Sequence, residues 1–292
     1  MTGYENAVEI NGLTKIYDGF KLDGLSFCVP KGSIMGFIGQ NGSGKSTTIR
    51  AMMGIIRRDG GKVRMLGMDI DEHEREIKEQ CAVVFDEIPF HDGLSGKQID
   101  IIMKGIWPKW DSVRFREYLD RFALPYKKPI AKLSKGMKMK LQIASALSHD
   151  AKLLIMDEAT TGLDPVVRNE MLDIFLEYMA DGERSILMSS HITSDLDKAA
   201  DSVTFIDKGQ LLLTGYKDDI LDTHAVVRCT NKDLAAMDEA DYVSARVNDF
   251  SAEVLTSDRE AFVRKYGVDI EKPSLEDIVL WYVKSKTAKR WS

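Results

Sequence analysis

Gly39-Gln40-Asn41-Gly42-Ser43-Gly44-Lys45-Ser46-Thr47 fits G-x-x-x-x-G-K-[ST], the pattern of a phosphate-binding loop. Its flanks supply the context this motif needs. Ile34-Met35-Gly36-Phe37-Ile38 ahead of it is a short apolar run that predicts a buried strand. Thr47 to Met53 behind it predicts the first turns of a helix. The glycines let backbone N–H groups turn inward around phosphate oxygens, and the helix N-terminus adds partial positive charge. In such a loop Lys45 reaches the β- and γ-phosphates and Ser46 offers its hydroxyl to Mg2+. A chance Gly/Ser turn would not carry these flanks.

The chain of 292 residues suits one large domain or two smaller ones. Its formal net charge of −6 argues against a general nucleic-acid binder. Only Lys284 to Arg290 is clearly basic, read as a solvated tail or as a contact with anionic lipid or a partner. Cys28, Cys81 and Cys229 are odd in number and far apart, so neither a disulfide framework nor a zinc spacing follows, and buried free thiols are expected. No apolar run approaches the ~18 residues that span a bilayer, and Met1 to Asn11 is too polar for a signal peptide. The expectation is a cytoplasmic protein that docks on a membrane-spanning partner if it acts at a membrane.

Taken in order, Ala7 to Ile10 and Phe20 to Val29 predict strands around a turn at Asp18-Gly19. Tyr17, just before that turn, is a packing aromatic or a platform for an adenine ring. Gly60 to Gly67 predicts a hairpin strand and Glu72 to Glu79 an exposed helix. Cys81 to Phe85 is another buried strand, closed by Asp86-Glu87, and ligands of open α/β sheets bind at that strand end. From Ile88 to about Asp150 the pattern turns helical, with helices around Leu94–Ile106, Val113–Phe122 and Ser134–Leu147. Trp107 and Trp110 between the first two are read as packing of that insertion, or as a groove for a partner helix. Strands follow at Lys152–Met156, Ser185–Ser190, Val203–Ile206 and Gln210–Leu213, with helices at Val166–Met179 and Ser194–Ala200. From about His224 short strands and helices predict a small α+β unit without visible chemistry. Thr230-Asn231-Lys232-Asp233 imitates a guanine-reading N-K-x-D motif, but Leu234 stands where its Asp should be.

Asp157 closes an apolar strand, the expected second nucleotide motif, and would hold Mg2+. Glu158 beside it would be the general base that polarises the attacking water. Ser134 N-caps a helix with Gly136 nearby, which is an anion site or simply a cap. His191 ends a strand at the same sheet edge, where it would sense the γ-phosphate. Asp164, ahead of Pro165, is a helix N-cap or a contact across a dimer interface.

This ordered set resembles the ATP-binding subunits of ATP-binding cassette (ABC) transporters over roughly Val8 to Leu221. Leu133-Ser134-Lys135-Gly136-Met137 stands where the LSGGQ signature is expected. Ile155-Met156-Asp157-Glu158-Ala159-Thr160 matches the strand and catalytic glutamate, Gly162-Leu163-Asp164 the D-loop, and His191 the switch histidine. The insertion and signature look most like subunits of bacterial ABC-2-type exporters. The resemblance implies an α/β fold: a P-loop NTPase core with an antiparallel β-subdomain and a helical insertion. Residues 7–223 would be the nucleotide-binding domain, with the insertion at about 88–150, and 224–292 an accessory α+β domain. It further implies a head-to-tail homodimer or heterodimer with two MgATP between the chains. Each ATP would lie on one phosphate loop, its adenine on Tyr17, and under Ser134 and Gly136 of the other chain, with Asp164 at the interface. ATP closure and hydrolysis would drive a separate permease at the inner face of the membrane, with no nucleic acid involved.

Departures from the family pattern bear on chemistry. Lys135 and Met137 replace a Gly and a Gln of the signature, and Ala159 replaces a Pro. Phe85-Asp86-Glu87 has no Gln where the Q-loop needs one, so Asp86 is expected as the metal ligand, with Glu87 as the other candidate. A soluble ABC ATPase acting on ribosomes or nucleic acid is the competing reading. A P-loop kinase or GTPase would need an acceptor site or base-reading motif that is not visible.

Overall fold

Alternation of apolar and polar residues builds an antiparallel sheet first. Strand β1 (Asn6–Tyr17) pairs with β2 (Phe20–Pro30) and with β4 (Gly60–Met65), and β5 (Met68–Asp69) adds to β4. One face is buried and the other open, as period-two patterning dictates. The computed structural model of the chain describes residues 4–160, 163–285 and 289–291.

Wholly apolar runs build the second sheet. Its order is β10-β9-β3-β8-β7-β6. Strands β3 (Ile34–Ile38), β6 (Cys81–Val84), β7 (Leu153–Asp157), β8 (Ser185–Ser190) and β9 (Ser202–Asp207) run parallel, and β10 (Gln210–Tyr216) closes the edge antiparallel. Every residue of β3, β7, β8 and β9 is buried, the signature of a parallel sheet covered on both faces. The pairs Ile38↔Ser190 and Asp157↔Ser189 bring the ends of β3, β7 and β8 to one edge. One face packs on the antiparallel sheet through Val8, Leu22, Phe27, Phe37, Ile155 and Leu187, with Phe27 and Phe37 stacked at 5.2 Å.

Helix α1 (Lys45–Met52) follows the glycine loop, and α2 (Ile70–Glu79) leads to β6. The insertion consists of α3 (Gly96–Ile106), α4 (Ser112–Arg121) and α5 (Lys135–Ala146). Trp107 and Trp110 pack within it: Trp107 stacks on His149 at 4.2 Å, and the Trp110 indole N–H donates to Asp100 at 2.9 Å. Helices α6 (Pro165–Met179) and α7 (Thr193–Ala199) complete the cover of the parallel sheet.

After α8 (Lys217–Thr223), a third sheet has the order β14-β11-β13-β12-β15, from β11 (Ala225–Cys229), β12 (Ser244–Val247), β13 (Ala252–Thr256), β14 (Ile270–Glu271) and β15 (Arg290–Trp291). It carries α9 (Asn231–Ala236), α10 (Arg259–Tyr266) and α11 (Leu275–Ser285). Its own core includes Val227, Leu234, Val254 and Phe262, whereas Leu275, Ile278 and Trp281 of α11 belong to the same apolar cluster as Leu196 and Ala199 of α7.

Three details depart from the sequence reading. Cys28 is exposed on the open face of β2, and Cys229 is half-buried at the margin of the C-terminal core; only Cys81 is a buried thiol. Thr230 to Asp233 is a capping box that starts α9: the Asp233 N–H donates to Thr230 Oγ1 and the Thr230 N–H to Asp233. Helices α8 and α9, of seven and six residues, are too short for a periodic signal. Residues 286–288 of the basic stretch read from Lys284 to Arg290, and Gly162 of Gly162-Leu163-Asp164, lie outside the described residues.

Candidate active site

The loop between β3 and α1 is shaped by its glycines. Gly42 has φ +79° and Gly44, the N-cap of α1, φ +110°, conformations that disfavour any side chain. A Cβ at Gly44 would also come within 2.6 Å of Leu22 and 2.8 Å of Phe20. Ser43 is held from outside by the turn after β9, where the Gly209 N–H donates to the Ser43 carbonyl at 2.9 Å.

Lys45 is buried, and its ammonium donates to the carbonyls of Gly39 (2.6 Å) and Gln40 (3.2 Å). It also pairs with Glu158 Oε1 at 2.9 Å. Glu158 follows β7 with φ +56°, a strained value for a residue with a side chain. Its second oxygen, Oε2, accepts from His191 Nδ1 at 2.7 Å. Lys45, Glu158 and His191 are therefore linked in one chain across the sheet edge. A second chain runs beside it. Ser46 Oγ and Ser189 Oγ donate to Asp157 Oδ1 at 3.1 and 2.9 Å.

Ser189 is the residue that sequence reading missed. It is fully buried, and besides donating to Asp157 it accepts from the Glu158 N–H at 3.0 Å. One hydroxyl thus orients both acids. The signal was a pair of serines directly after the apolar run of the strand, in Ser185-Ile186-Leu187-Met188-Ser189-Ser190.

Two clefts meet here. One of about 470 Å³ is lined by Gln40, Asn41, Gly42, Gly44, Lys45, Ser46, Thr47, Glu158 and Phe20. The other, about 630 Å³, is lined by Ser46, Arg50, Phe85, Asp86, Glu87, Asp157 and Glu158 among others. Asp86 and Glu87 therefore face the same space as Ser46 and Asp157, and Asp86 pairs with Lys135 at 3.5 Å. Hydroxyl and carboxylate oxygens from Ser46, Asp157 and Asp86 are a hard donor set of the kind Mg2+ takes when phosphates complete its shell.

Other predicted residues stand apart from these clefts. Tyr17 is 45% exposed at the hairpin end, with the Lys15 ammonium 5.2 Å from its ring centroid. Phe20, its cross-strand partner, is the aromatic that lines the cleft. Ser134 caps α5 by accepting from the Met137 N–H at 3.3 Å. Gly136 starts the same helix, open except towards Leu163. Asp164 caps α6, accepting from the N–H groups of Val166 and Val167 at 3.1 Å. None of Ser134, Gly136 and Asp164 lines the clefts at the phosphate loop of its own chain.

The sequence matches the family described as ABC transporter over residues 22–161. It is 31% identical over 205 residues to the ABC transporter ATP-binding protein YtrB of Bacillus subtilis (strain 168), covering 70% of each chain. It is 33% identical over 216 residues to the daunorubicin/doxorubicin resistance ATP-binding protein DrrA of Streptomyces peucetius, covering 72% of this chain and 65% of that one. Among solved structures, the ATP-binding subunit of an ABC transporter superposes with a TM-score of 0.68 at 26% identity, over 74% of this chain and 92% of the other.

Proposed function

The chain belongs to the ABC transporter ATP-binding family, and from that premise we propose that it works as one of a pair of subunits closing on two MgATP to drive a separate permease. Members of this family bind and hydrolyse ATP, and this chain is such an ATP-binding subunit. The finer reading rests on one observation: Lys45, Glu158 and His191 are linked at the sheet edge, directly beside the Ser46–Asp157–Ser189 chain. The similarity to a drug-resistance protein supports export as the direction.

ATP phosphates would lie over the N–H groups of residues 42–47 and compete with Glu158 for Lys45. Once Lys45 turns to phosphate, the Glu158 carboxylate can accept a proton. Water then attacks the γ-phosphorus, its proton goes to Glu158, and the bond to the bridging β-oxygen breaks to give ADP and phosphate. His191 keeps the Glu158 carboxylate aimed, and Ser189 fixes the backbone beneath it. Mg2+ held by Ser46, Asp157 and Asp86 would neutralise charge on the phosphates; Glu87 is the other candidate for the third place.

Ser134, Gly136 and Asp164 stand away from the phosphate loop of their own chain, which fits a role on the nucleotide of a second copy or of a related subunit. Among the described residues no helix is long and apolar enough to cross a membrane. Attachment to the inner face of the membrane would therefore run through the permease. We also propose the division into residues 7–223 and 224–292. The test is to replace Glu158 by Gln, add MgATP and weigh the particles in solution. Pairs are expected, with hydrolysis lowered at least about 100-fold and nucleotide still bound. Particles that stay single at saturating MgATP, with wild-type turnover independent of protein concentration, would overturn the paired mechanism.

A further inference from the structure

The loop that carries Asp86 and Glu87 is hydrogen-bonded to α5 through a buried side chain. Gln142 is 4% exposed, and its amide engages both backbone groups of Phe85. The Phe85 N–H donates to Gln142 Oε1 at 3.2 Å, and Gln142 Nε2 donates to the Phe85 carbonyl at 3.1 Å. Phe85 is the residue between β6 and the two carboxylates. Two lysines of α5 reach the same segment, Lys135 to Asp86 at 3.5 Å and Lys138 to Asp92 at 3.1 Å. Those pairs are partly exposed and contribute little, since water and salt screen them. The Gln142 bonds are shielded, and a primary amide can accept and donate at once without a change of protonation.

We propose that Gln142 is a positioning residue that makes α5 and residues 85–87 move as one body. This rests on the paired mechanism above. In that arrangement the two ends of the body serve different nucleotides. Ser134 and Gly136 at the start of α5 face the ATP of the partner copy, whereas Asp86 faces the metal position of its own chain. Gln142 thereby ties occupancy of one site to the metal geometry of the other. The loop lacks a glutamine of its own, and an amide from α5 grips its backbone instead.

The test compares Gln142→Leu, Gln142→Glu and a Lys138→Ala control in the full chain. Hydrogen exchange without nucleotide reads the clamp directly: the Phe85 amide should exchange at least 10-fold faster in Gln142→Leu and as in wild type in Lys138→Ala. In hydrolysis, Gln142→Leu should raise the Mg2+ concentration for half-maximal rate several-fold, lower kcat about 10-fold and flatten the ATP cooperativity, with KM for ATP little changed. Gln142→Glu should behave like Leu at pH 8. It should recover as pH falls and its carboxyl becomes neutral, because the acid form can again donate to the Phe85 carbonyl while accepting from its N–H. Unchanged Phe85 exchange, or unchanged metal dependence and cooperativity, overturns the proposal. So does a loss in both variants that ignores pH and merely follows their thermal midpoints. If Gln142→Leu does not fold, the exchange and pH profile of Gln142→Glu decide alone. Pairing of Glu158→Gln with MgATP is measured alongside: its failure removes the paired mechanism, and its success with indifferent Gln142 variants removes only the clamp.

Discussion

At the scale of the residue, the site depends on hydroxyls and carboxylates placed by strand ends. Ser189 illustrates how much one buried group can carry. It satisfies the Glu158 N–H and one oxygen of Asp157, so its removal leaves a buried donor and weakens the hold on a carboxylate. Ser189→Ala should cost about 1–3 kcal/mol of stability and lower kcat more than it raises KM for ATP. Steady-state kinetics with a denaturant melt would check both. The two acids and His191 were legible in the sequence because each ends a strand beside a phosphate loop. Ser189 was not, because a serine at a strand end acquires its meaning only from the neighbouring strand. Tyr17 and Phe20 make the same point. Both flank the Asp18-Gly19 turn, and the twist of the hairpin decides which ring lines the cleft.

At the scale of elements, the turn between β9 and β10 locks the phosphate loop to the antiparallel sheet. Gly209 donates to Ser43 and accepts from the Asp23 N–H at 2.8 Å. Its φ is +75°, and a Cβ there would lie 1.8 Å from the Lys21 carbonyl oxygen. Gly209→Ala should therefore cost roughly 1–3 kcal/mol and raise KM for ATP, as a thermal melt and kinetics would measure. A second element-scale device joins the insertion to the parallel sheet. His149 stacks on Trp107, and its Nε2 donates to the Cys81 carbonyl at 3.1 Å. Burial holds the His149 imidazole below its ordinary range, although the bond to Cys81 opposes this, and burial does the same to His224. Below the ordinary pKa of about 6.5, the unfolded chain binds protons that the folded chain refuses. Stability is then complete above that pH and falls beneath it, by at most about 1.4 kcal/mol per pH unit for each histidine. Denaturant melts of His149→Gln between pH 7.5 and 5 should show a flatter decline than wild type.

For the whole molecule, the question is how the C-terminal sheet relates to the ATPase core. Leu275, Ile278 and Trp281 of α11 share an apolar cluster with Leu196 and Ala199 of α7, the helix that begins two residues after His191. Thr193 Oγ1 also donates to Glu276 at 3.4 Å across this junction. Truncating a buried Trp costs about 3–5 kcal/mol. Trp281→Ala should therefore lower the melting midpoint of the whole chain by about 10 °C in one transition. Calorimetry showing a C-terminal unit that melts apart from an unchanged ATPase core would contradict this.

Local features were readable along the chain. The glycine loop, the strand-then-acid pattern at Asp157-Glu158, the capped helices and the apolar runs of the parallel sheet follow from backbone conformation and side-chain period within a few residues. Which distant groups share a partner emerges from the packed fold: Ser189 with Asp157 and Glu158, Gln142 with Phe85, Asp86 with Lys135, and α11 with α7. Those pairings depend on the order of parallel strands buried at every position and on how layers stack across the sheet, and such strands carry no alternation that would specify their neighbours.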